Sequence, residues 1–409
     1  MKRPSYFISS RAGSGDTYAA DLVLALREEF PKVDVVGICG TRMLRARVSA
    51  LYTLEKVHNF HQGLDLNSPS HQSVLEQVEG TITNIEYQTC ILVGYSPFHE
   101  SLAAIFKKHE VPVILYGLTP GSVLRAVDKN LFKKCISQII TILPTKPQLY
   151  YDLKMPVVFF GSPLRDRVNR VAITQDTSVL EKSKNNKILT VLPGSDPQVS
   201  LPRLAAMMKA LGSLENSNLR VFVSLPEELR PEFDQKMEKS LKQILGSLHI
   251  AESNSFRLVF DKATVYFGMG LELMYTADLV ISGAGSSSLE AVLLGTPCVA
   301  YLSKDRTYSK DSAGHRCLAN QIAEAPIATE YLDGGKSKLD RVVDRELKRN
   351  DDEKNQNVFQ AQLVQLRSKL PGLAVETVAK FIGNLSGWAK KSAMSKTSSK
   401  EKNKRNTPA

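Results

Sequence analysis

The sequence predicts an α/β protein made of two successive domains, each a parallel sheet with helices on both faces. Three observations predict it. Short β-rich runs alternate with helical patterns from the start to about position 300, the βαβ rhythm of a parallel sheet. A polar segment from Thr174 to Lys187 interrupts that rhythm, and a second series opens after it on a new strand. The length, 409 residues, suits two ordinary domains better than one.

In the first series, Tyr6 to Ser9 reads as a strand, followed by a Gly/Ser loop and an amphipathic helix near Tyr18 to Phe30. Val33 to Ile38 is the next strand. A long polar stretch follows, then strand Thr89 to Val93, helix Leu102 to His109 and strand Val113 to Tyr116. Leu131 to Cys135 is expected helical, and Gln138 to Ile142 and Val157 to Phe160 are strands. The second series has strands at Ile188–Leu192, Arg220–Ser224, Arg257–Phe260, Leu279–Ser282 and Cys298–Tyr301. Its helices fall at Leu204–Leu211, Pro231–Leu248, Leu271–Ala277 and Leu289–Leu294, and Asn357 to Trp388 is mainly helical. The expected division is 1–170, 171–350, closing helices over 351–389, and a basic disordered tail over 390–409. Two such domains imply a cleft, because open α/β sheets bind ligands beyond the carboxyl ends of their strands.

Composition excludes several classes. Five scattered cysteines with no CxxC pair argue for reduced thiols in a cytoplasmic protein, and against a disulfide framework or a zinc site. The apolar run near the N-terminus is too short for a signal peptide, and no stretch is long enough to span a membrane, so the expectation is a soluble or peripheral protein. Seven Lys or Arg against one acid place +6 of the net +11 charge in residues 390–409. That tail is either a solvated segment or a contact for an anionic membrane. Nucleic acid is not an expected partner, since no aromatic residues interleave with the charges.

The most informative stretch runs from Ile281 to Glu290, a buried strand passing through small residues directly into a helix. Glycines let a ligand approach the backbone, and a helix N-terminus offers N–H groups and a favourable dipole to a diphosphate. Gly285, Ser286 and Ser287 are the candidate diphosphate contacts, and Glu290, one turn in, is the candidate ribose ligand. The alternative is a capping box of Ser287 with Glu290. Ser195, in the turn after the strand ending at Leu192, belongs to the same sheet edge and joins the candidates. In the first domain Ser9 to Asp16 matches neither a P-loop nor a full GxGxxG pattern, so no nicotinamide cofactor is expected. Asp16 either caps its helix or faces a sugar. Transfer to an alcohol needs a general base, and His99 and Glu100 follow the strand ending at Val93. His58 and His61 are close, but nothing nearby completes a metal site.

In its order of short blocks the chain resembles the lipid-A-disaccharide synthase family. An SGD block is matched by Ser14-Gly15-Asp16, and a GxxGxRM block by Gly37, Gly40, Arg42 and Met43. Leu143, Pro144, Tyr150, Pro156, Gly161, Pro163, Leu164 and Asp166 follow a third, and Leu192 to Ser195 is an intact LPGS. Gly285, Ser286, Leu289 and Glu290 echo SGTxxLE, with Pro297 after it, and Asn320, Ile322, Pro326 and Glu330 echo a last block. The resemblance implies a GT-B fold, two Rossmann-like domains facing across a cleft. It also implies inverting transfer of 2,3-diacylglucosamine from UDP to 2,3-diacylglucosamine 1-phosphate at the inner-membrane surface. Asn320 becomes a candidate cleft residue. No cofactor and no metal are implied, because a helix N-terminus can stabilise the leaving diphosphate.

The departures fall mostly in the acceptor half. The family's acidic DxPDFN loop, where its candidate base lies, is Gly94-Tyr95-Ser96-Pro97-Phe98-His99 here. The tryptophans expected around Ser122 to Arg125 are absent. Lys146, Ser162 and Asp196 stand where a glutamate, a histidine and an arginine are expected. Two further readings follow: a glycosyltransferase with another UDP-sugar or acceptor, or a pseudoenzyme that binds a nucleotide sugar without turnover.

Overall fold

The computed structural model describes residues 4–11, 13–118, 134–144, 156–174, 186–194, 197–212, 219–230, 235–252, 257–304, 308 and 310–385. Ser195, the segment around Ser122 to Arg125, most of the expected linker and the basic tail lie outside these residues. The chain divides into two compact units, Met1–Pro163 with Gly372–Ala409, and Leu164–Pro371.

In the first unit seven parallel strands form one sheet in the order β3-β2-β1-β4-β5-β6-β7. They are β1 Ser5–Ser10, β2 Asp34–Cys39, β3 Ser49–Thr53, β4 Tyr87–Val93, β5 Val113–Leu118, β6 Gln138–Thr141 and β7 Val157–Phe159. The strand order reverses between β1 and β4, which are paired from Tyr6 opposite Thr89 to Ser10 opposite Val93. β1 and β4 are buried along nearly their whole length, as strands covered on both faces must be. Helix α1, Ser14–Glu29, follows β1, and α5, Pro97–Lys108, follows β4.

The long polar stretch after β2, to which the sequence reading assigns no element, is structured. It holds α2 Thr41–Arg45, edge strand β3, the short α3 His58–His61 and α4 Pro69–Asn84. Helix α4 starts at a Ser68 cap whose hydroxyl accepts the His71 N–H at 3.2 Å, with Pro69 in the first turn. The apolar stripe of α4 is thin, only Val74 and Val78 being buried aliphatics, which is why periodicity alone misses it.

The second unit opens on α6, Pro163–Thr174. Its sheet order is β10-β11-β12-β9-β8-β13-β14-β15. The strands are β8 Lys187–Leu192, β9 Leu219–Leu225, β10 Leu248–Glu252, β11 Arg257–Phe260, β12 Thr264–Phe267, β13 Leu279–Gly283, β14 Cys298–Leu302 and β15 Thr329–Leu332. Helices α7 Pro197–Leu211, α8 Gln235–Leu245, α9 Gly270–Thr276, α10 Ser286–Leu294, α11 Leu318–Ala323, α12 Leu339–Asn350 and α13 Glu353–Lys369 complete it.

Two corrections arise. The sheet is not wholly parallel, since β10, β11 and β12 pair antiparallel at one edge. The helix expected from Pro231 to Leu248 gives way at Gly246, whose φ of 93° lies in the left-handed region, and β10 begins at Leu248. The described part of the run from Asn357 to Trp388 is mainly helical, as expected, with one break at Leu370–Pro371–Gly372. Proline cannot donate to a helix and pushes its predecessor out of helical geometry. The residues after the break, helical over 374–385, belong to the first unit. There Gly383 lies against the Phe30 ring and Phe381 packs on Phe160 at 4.8 Å.

Candidate functional site

The strand order reverses between β1 and β4 in the first unit and between β8 and β13 in the second, and the candidate loops follow the carboxyl ends of these strands. Open α/β sheets bind ligands at such points.

In the first unit these ends are Ser10 and Val93. The Arg11 N–H donates to Val93 O at 3.0 Å and its guanidinium to Tyr95 O at 3.4 Å, joining the two loops. Gly94 turns the chain with a φ of 81°. Ser96 then caps α5, its hydroxyl accepting the His99 N–H at 3.2 Å. The His99 ring is fully buried. A carbonyl can only accept, so Nδ1–H donates to Gly94 O at 2.7 Å, and Nε2 accepts the Ser9 hydroxyl at 3.0 Å. Burial pushes the His99 pKa down to about 4, with the Arg11 charge adding to the effect and the Gly94 bond opposing it. His61 lies edge-on at 5.0 Å, its Nδ1 2.8 Å from Ser96 Oγ, and burial also drives its pKa well down. His99 therefore ties the two loops together, and neither ring nitrogen is open to a substrate.

Asp16 has a comparable fate. It does not cap α1, whose N-cap is Gly13 with no side-chain bond. Its two oxygens accept the N–H groups of Gly40 at 2.9 Å and Arg42 at 2.8 Å. Gly40 is required for this, because a Cβ there would lie 2.5–2.8 Å from the carboxylate atoms. A Cβ at Gly37 would collide with Ile8 O on the neighbouring strand. The SGD and GxxGxRM blocks are thus two halves of one contact. Glu100 is different. It sits in the first turn of α5, half-buried, and accepts a hydrogen bond from the Tyr95 hydroxyl. Of the three catalytic candidates, it is the one with solvent access.

In the second unit the ends are Leu192 and Gly283. Helix α10 starts at Gly285 with no side-chain cap, so the Ser287–Glu290 capping box does not form. Gly285 is exposed, and a Cβ there would meet nothing within 4 Å, so the cap position faces open space. The far end of α10 is closed by Gly295 at φ 90° and by Arg367, which donates to Leu293 O at 2.7 Å. Leu318 N–H donates to Ala284 O at 2.8 Å, fastening the start of α11 to the same loop.

Glu290 is buried and its Oε1 accepts from Arg167 of α6 at 3.1 Å. Asn320 is wholly occupied by the fold: its Nδ2 donates to Ala328 O and Glu330, and its Oδ1 accepts the Ala328 N–H at 2.8 Å. It holds α11 to β15 and does not present its amide to a ligand. Two arginines escaped sequence reading. Arg167 stood in the part assigned to the first domain, and Arg203, on α7, donates to Pro193 O at 2.6 Å. Among the described residues no group of His, Cys, Asp or Glu is arranged to hold a metal ion. No described helix is long and apolar enough to cross a membrane.

Comparison with known proteins bears on the family and the fold. The family model for lipid-A-disaccharide synthetase matches residues 6–305. Lipid-A-disaccharide synthase 1 of Legionella pneumophila is 27% identical over 307 residues, 72% of this chain and 74% of that one. The lipid-A-disaccharide synthase of Syntrophus aciditrophicus is 24% identical over 393 residues, covering 91% and 96%. Among solved structures, UDP-GlcNAc 2-epimerase from Neisseria meningitidis bound to UDP-GlcNAc superposes with a TM-score of 0.56 at 11% identity, covering 92% and 99%.

Proposed function

Because this chain belongs to the lipid-A-disaccharide synthetase family, we propose that it transfers 2,3-diacylglucosamine from UDP to 2,3-diacylglucosamine 1-phosphate, with inversion. It is a GT-B glycosyltransferase of lipid A biosynthesis. The observation that carries the finer reading is the start of α10: an uncapped helix N-terminus, reached through Gly285, with Glu290 one turn in. Backbone N–H groups and the helix dipole there stabilise the charge that collects on UDP as the C1–O bond to phosphate breaks. Ser286 and Ser287 add the first-turn contacts, and Ser195 is assigned to the donor by its place after β8. Glu290, oriented by Arg167, is assigned to the ribose.

Glu100 is assigned the base. The acceptor hydroxyl forms its bond to C1 on the face opposite UDP while its proton passes to the Glu100 carboxylate, so charge and atoms balance without a metal. Tyr95 orients that carboxylate. His99 and Asp16 act at one remove, fixing the loops after β1 and β4. The +6 charge of residues 390–409 supports docking on an anionic inner-membrane surface, where each basic residue contributes about 1 kcal/mol.

The test is turnover by the purified full-length protein with acylated UDP-glucosamine and acylated glucosamine 1-phosphate, on neutral and anionic vesicles. The expected result is UDP release matched by an acylated disaccharide, faster on anionic vesicles, with that advantage lost on removing residues 390–409. UDP binding with no transfer to any acylated acceptor would establish the pseudoenzyme instead. Equal rates on both vesicles would dismiss the role of the tail.

A further inference from the structure

One atom, Arg203 Nη1, occupies the point in the second unit where the strand order reverses. It lies 2.6 Å from Pro193 O, just beyond the end of β8. A Cβ built on Gly194 would stand 2.6 Å from the same atom, and one built on Gly283, the last residue of β13, 3.8 Å from it. β8 and β13 are neighbours, with Ile281 opposite Val191 and Ser282 opposite Leu192. The guanidinium therefore rests across the ends of both strands, two residues before the Gly285 cap of α10.

The sequence is fitted to this placement. Gly194 has a φ of 127°, a conformation that disfavours any side chain, and its missing Cβ also leaves room for the guanidinium. Ser200, three residues before Arg203 on α7, donates to Gly194 O at 3.0 Å, so α7 and the turn after β8 are fastened at two points. The Arg203 side chain is half-buried. A guanidinium stays charged at all physiological pH values, and its planar fork matches phosphate oxygens. Held on a helix and by a carbonyl, it is fixed before any ligand arrives.

We propose that Arg203 binds the diphosphate of the nucleotide-sugar donor, a residue for which no short motif gives a signal. The proposal rests on the reading that unit two takes the UDP-sugar. It adds a fixed positive charge to the α10 amides, at the same carboxyl edge of the sheet. Arg203 faces the group that leaves, so it lowers the barrier to C1–O cleavage as well as the dissociation constant.

The test measures binding of UDP and of uridine by calorimetry in wild type, R203Q and R203K. Glutamine retains an amide able to donate to Pro193 O, so R203Q removes the charge while sparing the loop contact. UDP affinity is expected to fall about 10- to 100-fold in R203Q, with uridine affinity held within about twofold. Should R203Q fail to fold, R203K decides: normal uridine binding with UDP weakened at least about threefold supports the assignment, because lysine keeps the charge and loses the fork. Equal UDP affinity in wild type and the folded variant overturns it, as does a parallel loss for UDP and uridine. A wild type that binds neither ligand overturns the donor-site reading itself, and Arg203 with it.

Discussion

Burial of the His99 ring has an energetic consequence that appears only in acid. In the folded protein its pKa lies near 4, whereas the unfolded chain binds the proton near the ordinary value of about 6.5. Between these values the unfolded state carries more protons, so stability rises with pH there. The contribution is fully present above pH about 6.5 and lost as pH falls toward about 4, on the order of 3 kcal/mol in all. His61, also driven well down by burial, adds to the same trend. The midpoint of urea unfolding is expected to drop steeply over that range and to flatten in His99→Asn, whose amide can still donate to Gly94 O. An unchanged pH profile in the variant would mean the ring is not the group that titrates. The sequence shows a histidine after a strand; it does not show the depth at which Ser9 and Gly94 hold it. The same limit hides the partners of Asn320, since Ala328 and Glu330 lie eight and ten residues away in sequence. Glu290 was legible by position, but its ion pair with Arg167, 123 residues away, was not.

At the scale of elements, the central strands were readable because they are buried on both faces and rich in β-branched and aliphatic residues. Four others were not read: β3, β10, β12 and β15 are short, and α4 carries too few apolar residues to give a periodic signal. The two glycine blocks of the first unit were legible as motifs, while their meaning needed the structure. The Gly40 prediction belongs here. Its φ of −90° suits any residue, so Gly40→Ala tests the space and not the backbone. The added methyl meets the Asp16 carboxylate and displaces it from the Gly40 and Arg42 amides. A loss of about 2–4 kcal/mol in urea unfolding is expected, from overpacking and two charge-assisted hydrogen bonds. A loss below about 0.5 kcal/mol would show that α2 moves away freely and that Asp16 does not anchor it.

The whole molecule is one family architecture with its candidate groups sorted between two units. The division into two α/β halves was evident from rhythm and length, whereas the return of the chain to the first unit after Pro371 was not, since no local pattern tells which core a terminal helix joins. The donor residues proposed here all lie in Leu164–Pro371 and the proposed base in Met1–Pro163. Binding and chemistry should therefore separate by mutation. The most direct measurement compares UDP affinity and kcat in Glu290→Ala and Glu100→Gln against wild type, with thermal unfolding as a control. Glu290→Ala is expected to weaken UDP about 10- to 100-fold, the scale of a hydrogen bond to a charged group. Glu100→Gln is expected to leave UDP affinity within about twofold and to lower kcat about 10²- to 10⁴-fold, the range of general-base assistance. A folded Glu100→Gln variant with wild-type kcat, or a Glu290→Ala variant with wild-type UDP affinity, would contradict the assignment.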